Sequence, residues 1–388
     1  MTPADAGGTP PRLETAALYL ATAACYADMY ITQPVLPLLS REFGVSPAQA
    51  GLSVSAVVVG IAVASTFYGP LSDALGRRRV MVGSGLLLVV PTALCALSRS
   101  FGALLALRAA QGLLIPGITA VSVAYAGDRF DRRKLPAVVG GIIAASVAGG
   151  LLGHVLGGLI ASAAGWRGAF VLFSGVTLGS VLLLWRGLSP LRSAERVGWA
   201  RAYGGMFQHL ADRRLVGAFL IGMTLFFGWI GIFTYLPYHL VGAPYRLSTA
   251  QVSSIYAVYL AGVLVSPIAG RASTRVSPRL VMAAGLVLAA AGMIGTLLHP
   301  LWAIAGALVL LCLGMFTAQA VAPAFVNTSA RAAKGGASAL YLTFYYVGGT
   351  LGSSLPGLAW QAWQWPGVVA ICVASLVAAL LVDALLCG

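Results

Sequence analysis

Charge is what this 388-residue chain has least of: Asp, Glu, Lys and Arg together make up 9% of it. A water-soluble domain carries about a quarter of its residues as charges, so that class is excluded. The 59% of apolar residues, gathered in long runs, is instead the mark of membrane spans. Acidic residues are scarcer than basic ones, 10 against 24, which leaves a net charge of +14. Nucleic acid is not the reason, because the basic residues sit between apolar runs and not on amphipathic faces. Cysteines in pairs are lacking too: Cys25, Cys95, Cys312, Cys372 and Cys387 show no CxxC spacing, against a zinc site or a disulfide framework. Walker loops, HExxH, GxSxG and paired carboxylates at membrane depth are all missing, so neither an enzyme nor an ATP-driven pump is expected, and no cofactor or metal. The N-terminus lacks a cationic start and carries Asp5 and Glu14, which reads as a short cytoplasmic tail and not a cleaved signal.

What is present is a series of twelve apolar segments, at about 14–38, 48–70, 80–98, 101–126, 135–163, 167–187, 214–240, 248–270, 279–298, 301–326, 336–358 and 366–386. Each has the roughly 20 residues a helix needs to cross the hydrocarbon core, where only a helix satisfies its own backbone. Nineteen basic residues fall in the connections on the N-terminal side of the membrane and four on the other, with Arg108 alone inside span 4. The positive-inside rule therefore puts both termini in the cytoplasm. The chain also repeats itself at an offset of 200 to 202 residues: VLP at Val35 returns as YLP at Tyr235, SPAQA at Ser46 as STAQV at Ser248, and GPLSDALGRRRVM at Gly69 as GRASTRVSPRLVM at Gly270. The expected architecture is all-α, with twelve transmembrane helices in two pseudo-symmetric six-helix bundles: a tail at 1–12, bundles at 13–188 and 213–388, and a linker at 189–212. Duplicated halves around a midplane site are the structural basis of alternating access.

Two charges stand inside the apolar zone of the first four spans, Asp28 and Arg108. Each costs about 2.5 to 3.5 kcal/mol to insert, so each should face the bundle interior and find a partner. A coupled pair in the cavity is the economical expectation, loading and releasing a proton as its spacing or hydration changes; a static pair that fixes packing is the alternative. In span 5, Gly140, Gly149, Gly153, Gly157 and Gly158 allow a close helix approach. His154, among them, can titrate near neutrality or serve as hydrogen-bonded packing. Tyr30, Gln33, Gln111, Tyr235, Tyr256, Tyr259, Gln319, Tyr341 and Tyr345 offer apolar bodies with polar tips, suited to a cavity for an amphipathic or sugar-like solute.

The densest charge lies in GPLSDALGRRRV, Gly69 to Val80. This stretch resembles the loop 2-3 signature of the major facilitator superfamily, through Gly69, Asp73, Gly76, Arg77 and Arg78. The resemblance implies a cytoplasmic latch between the halves, with Asp128 as partner; service to topology alone is the other reading of the arginines. RAAQG at Arg108 is similar to the span 4 signature, which implies that Arg108 faces the cavity and takes part in proton coupling. GGIIAASVAGGLLGHVLGG matches the antiporter signature of span 5 at every glycine and departs from it at His154, where the family has proline. ADMYITQPVLP and KGGASALYLTFYYVGG resemble the 12-span drug:proton antiporters, and within them the sugar or arabinose efflux permeases and multidrug exporters. The function this implies is a proton-coupled antiporter of a bacterial inner membrane, exporting small organic solutes by alternating access. Its partners would be the solute, protons and membrane lipids, with no nucleic acid, and the chain would act as a monomer. The alternatives are a proton symporter or facilitator for uptake and, further off, a membrane receptor or embedded enzyme.

Overall fold

A computed structural model describes residues 11–131, 133–189, 207–273, 275–330 and 334–386. Most of the expected linker, and the N-terminal tail up to residue 10, lie outside the described residues. Among them, nine helices are long and apolar enough to cross a membrane unaided. One of the nine, Leu135–Gly187, carries two passes, because Gly165 at φ 75° breaks it into spans 5 and 6. That left-handed conformation costs glycine nothing and most other residues a good deal.

The two passes missing from this set are spans 1 and 11. Span 1 is a helix Pro11–Tyr30, a tight turn Gln33–Val35 and a short helix Leu36–Phe43. Span 11 runs from Lys334–Ser354 into Pro356–Leu386, whose first turns end at Gln364, at φ 52°; span 12 fills the remainder. The other spans are Pro47–Leu75, Arg77–Cys95, and the pair Phe101–Leu114 and Pro116–Arg129 for spans 2 to 4. Spans 7 to 10 are Arg213–Val241, the segment Thr249–Ala272, Pro278–Gly295 and Leu301–Ser329. The result is twelve passes in two pseudo-symmetric bundles, as the sequence pattern predicts.

The echo of SPAQA in STAQV has a local cause. Ser46 and Ser248 each open a helix, spans 2 and 8, and each forms a capping box in which the serine hydroxyl takes the N–H of Gln49 or Gln251 while that glutamine side chain takes the serine's own N–H. Two donors that a helix start leaves free are satisfied at once.

Span 5 lies along span 1. A methyl group added at Gly149 would strike the backbone of Ala23, and one at Gly153 would sit 2.5 Å from the carbonyl oxygen of Ala27. Gly157 meets Ile31 at ordinary contact distance, 3.4 Å. Gly158 turns the other way, onto Ser253 of span 8, so it belongs to the contact between halves. Gly140 has nothing within 4 Å and takes no part, a correction to the reading of all five glycines as one ladder.

These distances rank the substitutions. Gly149→Leu and Gly153→Leu must prise span 1 from span 5 and should each cost about 1 to 3 kcal/mol or more, whereas Gly140→Leu should stay within about 0.5 kcal/mol of the parent. Thermal unfolding of the three variants in one detergent checks the order, and equal melting temperatures would refute it.

Candidate functional site

Span 1 breaks because Pro34 has no N–H to continue the helix. The carbonyls of the last turn before the break then need donors, and no water is present in a bilayer core to supply them. Arg108 supplies them. Its Nη1 donates to the carbonyl of Asp28 at 2.7 Å, its Nη2 to that of Met29 at 2.7 Å, and its Nε to that of Ser53 in span 2 at 3.2 Å. Nη1 also donates to Gln111 Oε1 at 2.8 Å, and the guanidinium lies 5.9 Å from the centre of the Phe170 ring. A cation at the C-terminal end of a helix is also favoured by the helix dipole.

The expected ion pair is therefore not what holds Arg108. Its bond is to the backbone of Asp28, and the five ion pairs recorded among the described residues do not include the Asp28 carboxylate. That carboxylate lies beyond ion-pair distance of the arginine: Oδ2 accepts from Thr177 of span 6 at 2.9 Å and lies 3.4 Å from the hydroxyl of Thr92 of span 3, which donates at 2.8 Å to the carbonyl of Leu88, and Oδ1 has no partner. Gln111 joins the two charges indirectly, its Nε2 donating to Thr92 Oγ1 at 2.7 Å. Asp28, Arg108 and Gln111 are all fully buried inside the first bundle, so none of them lines a cavity between the halves. For Gln111 this corrects the sequence reading outright. Thr92 and Thr177 carried no sequence signal, since threonines in apolar helices are common.

The contact between the halves is built at the end whose loops hold few charges. Ser55 of span 2 bonds to Ser353 and Ser354 of span 11, each hydroxyl pair 2.6 Å apart, and Ser40 bonds to Tyr238 at 2.7 Å. Tyr235 donates to the carbonyl of Ser353 at 3.0 Å and is fully buried, so it braces this contact and is not open to a solute. His154, also fully buried, stacks on Tyr256 of span 8 at 4.2 Å and on Tyr30 of span 1 at 4.9 Å. Its Nδ1 lies 2.6 Å from the carbonyl of Gly150 and its Nε2 2.6 Å from the side-chain amide of Gln33, which reaches Thr234 of span 7 at 3.2 Å. Gln33 of the first half and Thr234 of the second thus meet across the contact, in the two segments related by the VLP/YLP echo.

The profile of the Major Facilitator Superfamily matches residues 18–258 and again 218–387. The chain belongs to this superfamily. It is 38% identical over 378 residues to the inner membrane transport protein YnfM of Escherichia coli, covering 97% of this chain and 91% of that one. It is 30% identical to the MFS-type transporter YybF of Bacillus subtilis, over 96% and 93% of the two chains. The fold also matches the crystal structure of a bacterial homologue of the human lysosomal transporter Spinster, in an inward-facing, unoccupied conformation, with a TM-score of 0.79 at 16% identity over 98% and 96% of the chains.

As a facilitator-superfamily transporter, the chain has its loop 2-3 charges in an ordered cluster. Gly76, at φ 93°, turns span 2 into span 3 and sets Arg77 against Asp73 at 2.5 Å and Asp128 at 3.0 Å. Arg77 also donates to Ser72 and to the carbonyl of Gly69, and Arg78 to that of Trp185 at 2.5 Å. All these partners lie in the first bundle, so the cluster ties spans 2, 3, 4 and 6 together, where the resemblance implied a bond between halves. Arg279, 201 residues after Arg78, repeats its contact by donating to the carbonyl of Asp383 at 2.7 Å. A second cluster went unread: Glu14 is fully buried and accepts from Tyr125 at 2.7 Å, Arg129 at 3.1 Å and the N–H of Ser189 at 3.1 Å, joining spans 1, 4 and 6.

The remaining expected contacts are aromatic. Tyr345 stacks on Phe226 at 3.9 Å, and Tyr259 packs on Trp229 at 4.7 Å and Phe233 at 4.8 Å. Tyr256 spends its hydroxyl on the carbonyl of Phe233 at 2.9 Å. The hydroxyls of Tyr259 and Tyr341 and the Oε1 of Gln319 are buried and have no partner.

Arg108 is the group whose loss should be felt most. Arg108→Ala strands three carbonyls and should cost about 3 kcal/mol or more, and Arg108→Lys, a point charge without the planar fork, should recover only part of that. Melting temperatures in detergent check this: a variant as stable as the parent would show that the carbonyls are satisfied without the arginine.

Proposed function

We propose that this transporter is a proton-coupled antiporter that exports small organic solutes by alternating access, from an inner membrane with both termini in the cytoplasm. The observation that carries the reading is Asp28, a buried carboxylate with the Thr177 hydroxyl at 2.9 Å and the Thr92 hydroxyl at 3.4 Å on one oxygen and nothing on the other. Oδ1 can take a proton without disturbing the Thr177 bond to Oδ2, and nothing else in the first bundle needs to be rebuilt. The Arg108, Gln111 and Thr92 side chains connect that carboxylate to the break in span 1, so a change of charge at Asp28 reaches the segment that bears Gln33 and Tyr30. A chain of this kind lets proton occupancy bias which of two arrangements is populated.

The solute side of the reading rests on the second bundle. Tyr259, Tyr345, Trp229 and Phe316 supply ring faces, and the unpartnered Tyr259 hydroxyl and Gln319 amide oxygen supply one donor and one acceptor. That combination favours an amphipathic solute with a planar apolar part and few hydrogen-bonding groups. Arginine in the loops of one end and its scarcity at the other supports the orientation. The loop cluster of Asp73, Arg77 and Asp128 supports a latch in the opposite conformation, in which the second bundle would approach it.

The test is transport in proteoliposomes with an imposed pH gradient, using a panel of fluorescent amphipathic dyes and carrying forward the one taken up best. Asp28→Asn keeps the shape of the protonated acid, so it should still bind and exchange the dye while losing uphill, gradient-driven accumulation. Retained accumulation in that variant would take the proton away from Asp28. Accumulation against the opposite gradient direction in the parent would make the protein a symporter.

A further inference from the structure

His154 occupies the place where the antiporter signature has proline, and its hydrogen bonds contain a constraint on charge. A backbone carbonyl only accepts, so Nδ1, 2.6 Å from the Gly150 carbonyl, carries a hydrogen in the neutral and in the protonated ring alike. Nε2 faces the Gln33 amide at 2.6 Å, and the far side of that amide faces the Thr234 hydroxyl at 3.2 Å. With the amide oxygen toward the ring, Nε2 must donate, and the ring is an imidazolium. With the amide turned over, its NH2 donates to a bare Nε2 and its oxygen accepts from Thr234, and the ring is neutral. The two orientations of a glutamine amide have the same shape, and a threonine hydroxyl donates or accepts as needed. The chain from span 5 through span 1 to span 7 is thus complete in both charge states, with its direction reversed.

The ring is also held by both bundles at once. Tyr30 of the first stacks on it at an interplanar angle of 25° and Tyr256 of the second at 19°, while Tyr259 meets its edge at 5.2 Å. The groups that face it are therefore Tyr30 and Gln33 from span 1, the Gly150 carbonyl from span 5, and Tyr256 and Tyr259 from span 8, all uncharged side chains or backbone. The carboxylate of Asp28 is turned away toward Thr92 and Thr177. Closing this end around a protonated ring means stripping water from a cation and offering it two carbonyl-type acceptors and two ring faces in exchange, with no opposite charge.

We propose that His154, Gln33 and Thr234 form a proton-reversible lock between the two bundles, in which proton occupancy of His154 and closure of the sparsely charged end oppose one another. The amide flip keeps the lock's hydrogen bonds intact in either state, so the proton changes only the cost of removing water from the ring. Acid on that side of the membrane holds the end open with His154 protonated, and closure delivers the neutral ring. The lock rests on the alternating-access part of the proposed function and adds a second proton site to it, separate from Asp28.

Spin labels at Arg99→Cys and Leu298→Cys, on exposed loops of the first and second bundles at this end, report the distance across it without any solute. The fraction of molecules in the short-distance population should fall between about pH 8 and about pH 5.5, on either side of the ordinary imidazole range. His154→Gln keeps an amide in place of the ring but has nothing to titrate, and should abolish that fall. Thr234→Val leaves His154 intact and removes the far bond, so the closed fraction should drop by about fivefold at both pH values while the pH response survives. A parent distance that ignores pH, a pH response that persists in His154→Gln, or a closed fraction untouched in Thr234→Val would each overturn the lock. Dye accumulation driven by a pH gradient is read separately: if it fails while the distances respond to pH, the antiport reading falls and the lock stands. The converse result leaves antiport standing and removes the lock.

Discussion

The break in span 1 sets the terms for everything around it. A helix interrupted inside a bilayer exposes carbonyls that lipid cannot satisfy, and the chain meets that demand with one fully buried guanidinium whose planar fork spans the carbonyls of Asp28 and Met29. Once Arg108 is committed to the backbone, the Asp28 carboxylate makes no direct ion pair with it and lies instead against the hydroxyls of Thr177 and Thr92. The same break carries Gln33 on a tight turn, fully buried, where it can reach His154 on one side and Thr234 on the other. A continuous helix in span 1 would need no arginine and would swing Gln33 out of that position.

Duplication explains where the bundles touch. Two copies related by a pseudo-twofold axis bring corresponding segments together near the axis, as the turn bearing Gln33 and the stretch bearing Thr234 are, and place unlike segments together away from it. Span 2 meets span 11 through Gly51 against the carbonyl of Ser353, and span 8 meets span 5 through Ser253 against Gly158. Each contact sets a glycine of one bundle against a serine of the other, through the serine's carbonyl in the first case and its hydroxyl in the second. Small residues are what such a seal requires, because two backbones can then approach without side chains to be rearranged each time it opens.

The sequence made the fold legible because the physics behind it is one-dimensional: span length, the bias of arginine toward one side and a 201-residue echo are all properties of order along the chain. It also marked Asp28, Arg108, His154 and the loop arginines, since a charge or a histidine in an apolar run is visible at once. What it could not show was direction. Whether Arg108 addresses the side chain or the carbonyl of Asp28 depends on the rotation of span 1 about its axis and on the break at Pro34, and neither changes the composition. Gln111 and Tyr235 looked like cavity residues because polar tips on apolar bodies suit a cavity and a packed seam equally. Glu14 was hidden by its place near the chain start, although it is fully buried against Tyr125 and Arg129.

The two bundles, alike in topology, divide the chemistry unequally. The buried ionisable groups at membrane depth, Asp28, Arg108 and His154, belong to the first bundle, while the Trp229, Phe233, Tyr259 and Phe316 cluster belongs to the second. A proton and a solute bound on separate rigid bodies can influence each other only through the contact that changes when the bodies rock. The polar part of that contact runs through Ser55 with Ser353 and Ser354, through Ser40 with Tyr238, and through Gln33, His154 and Thr234 with Tyr256 stacked on the ring. Any coupling between the charge-bearing bundle and the aromatic one must therefore be paid out at this seam or at its counterpart on the arginine-rich side. The proline that the antiporter signature carries at His154 would offer neither a hydrogen bond nor a stacking face to transmit it.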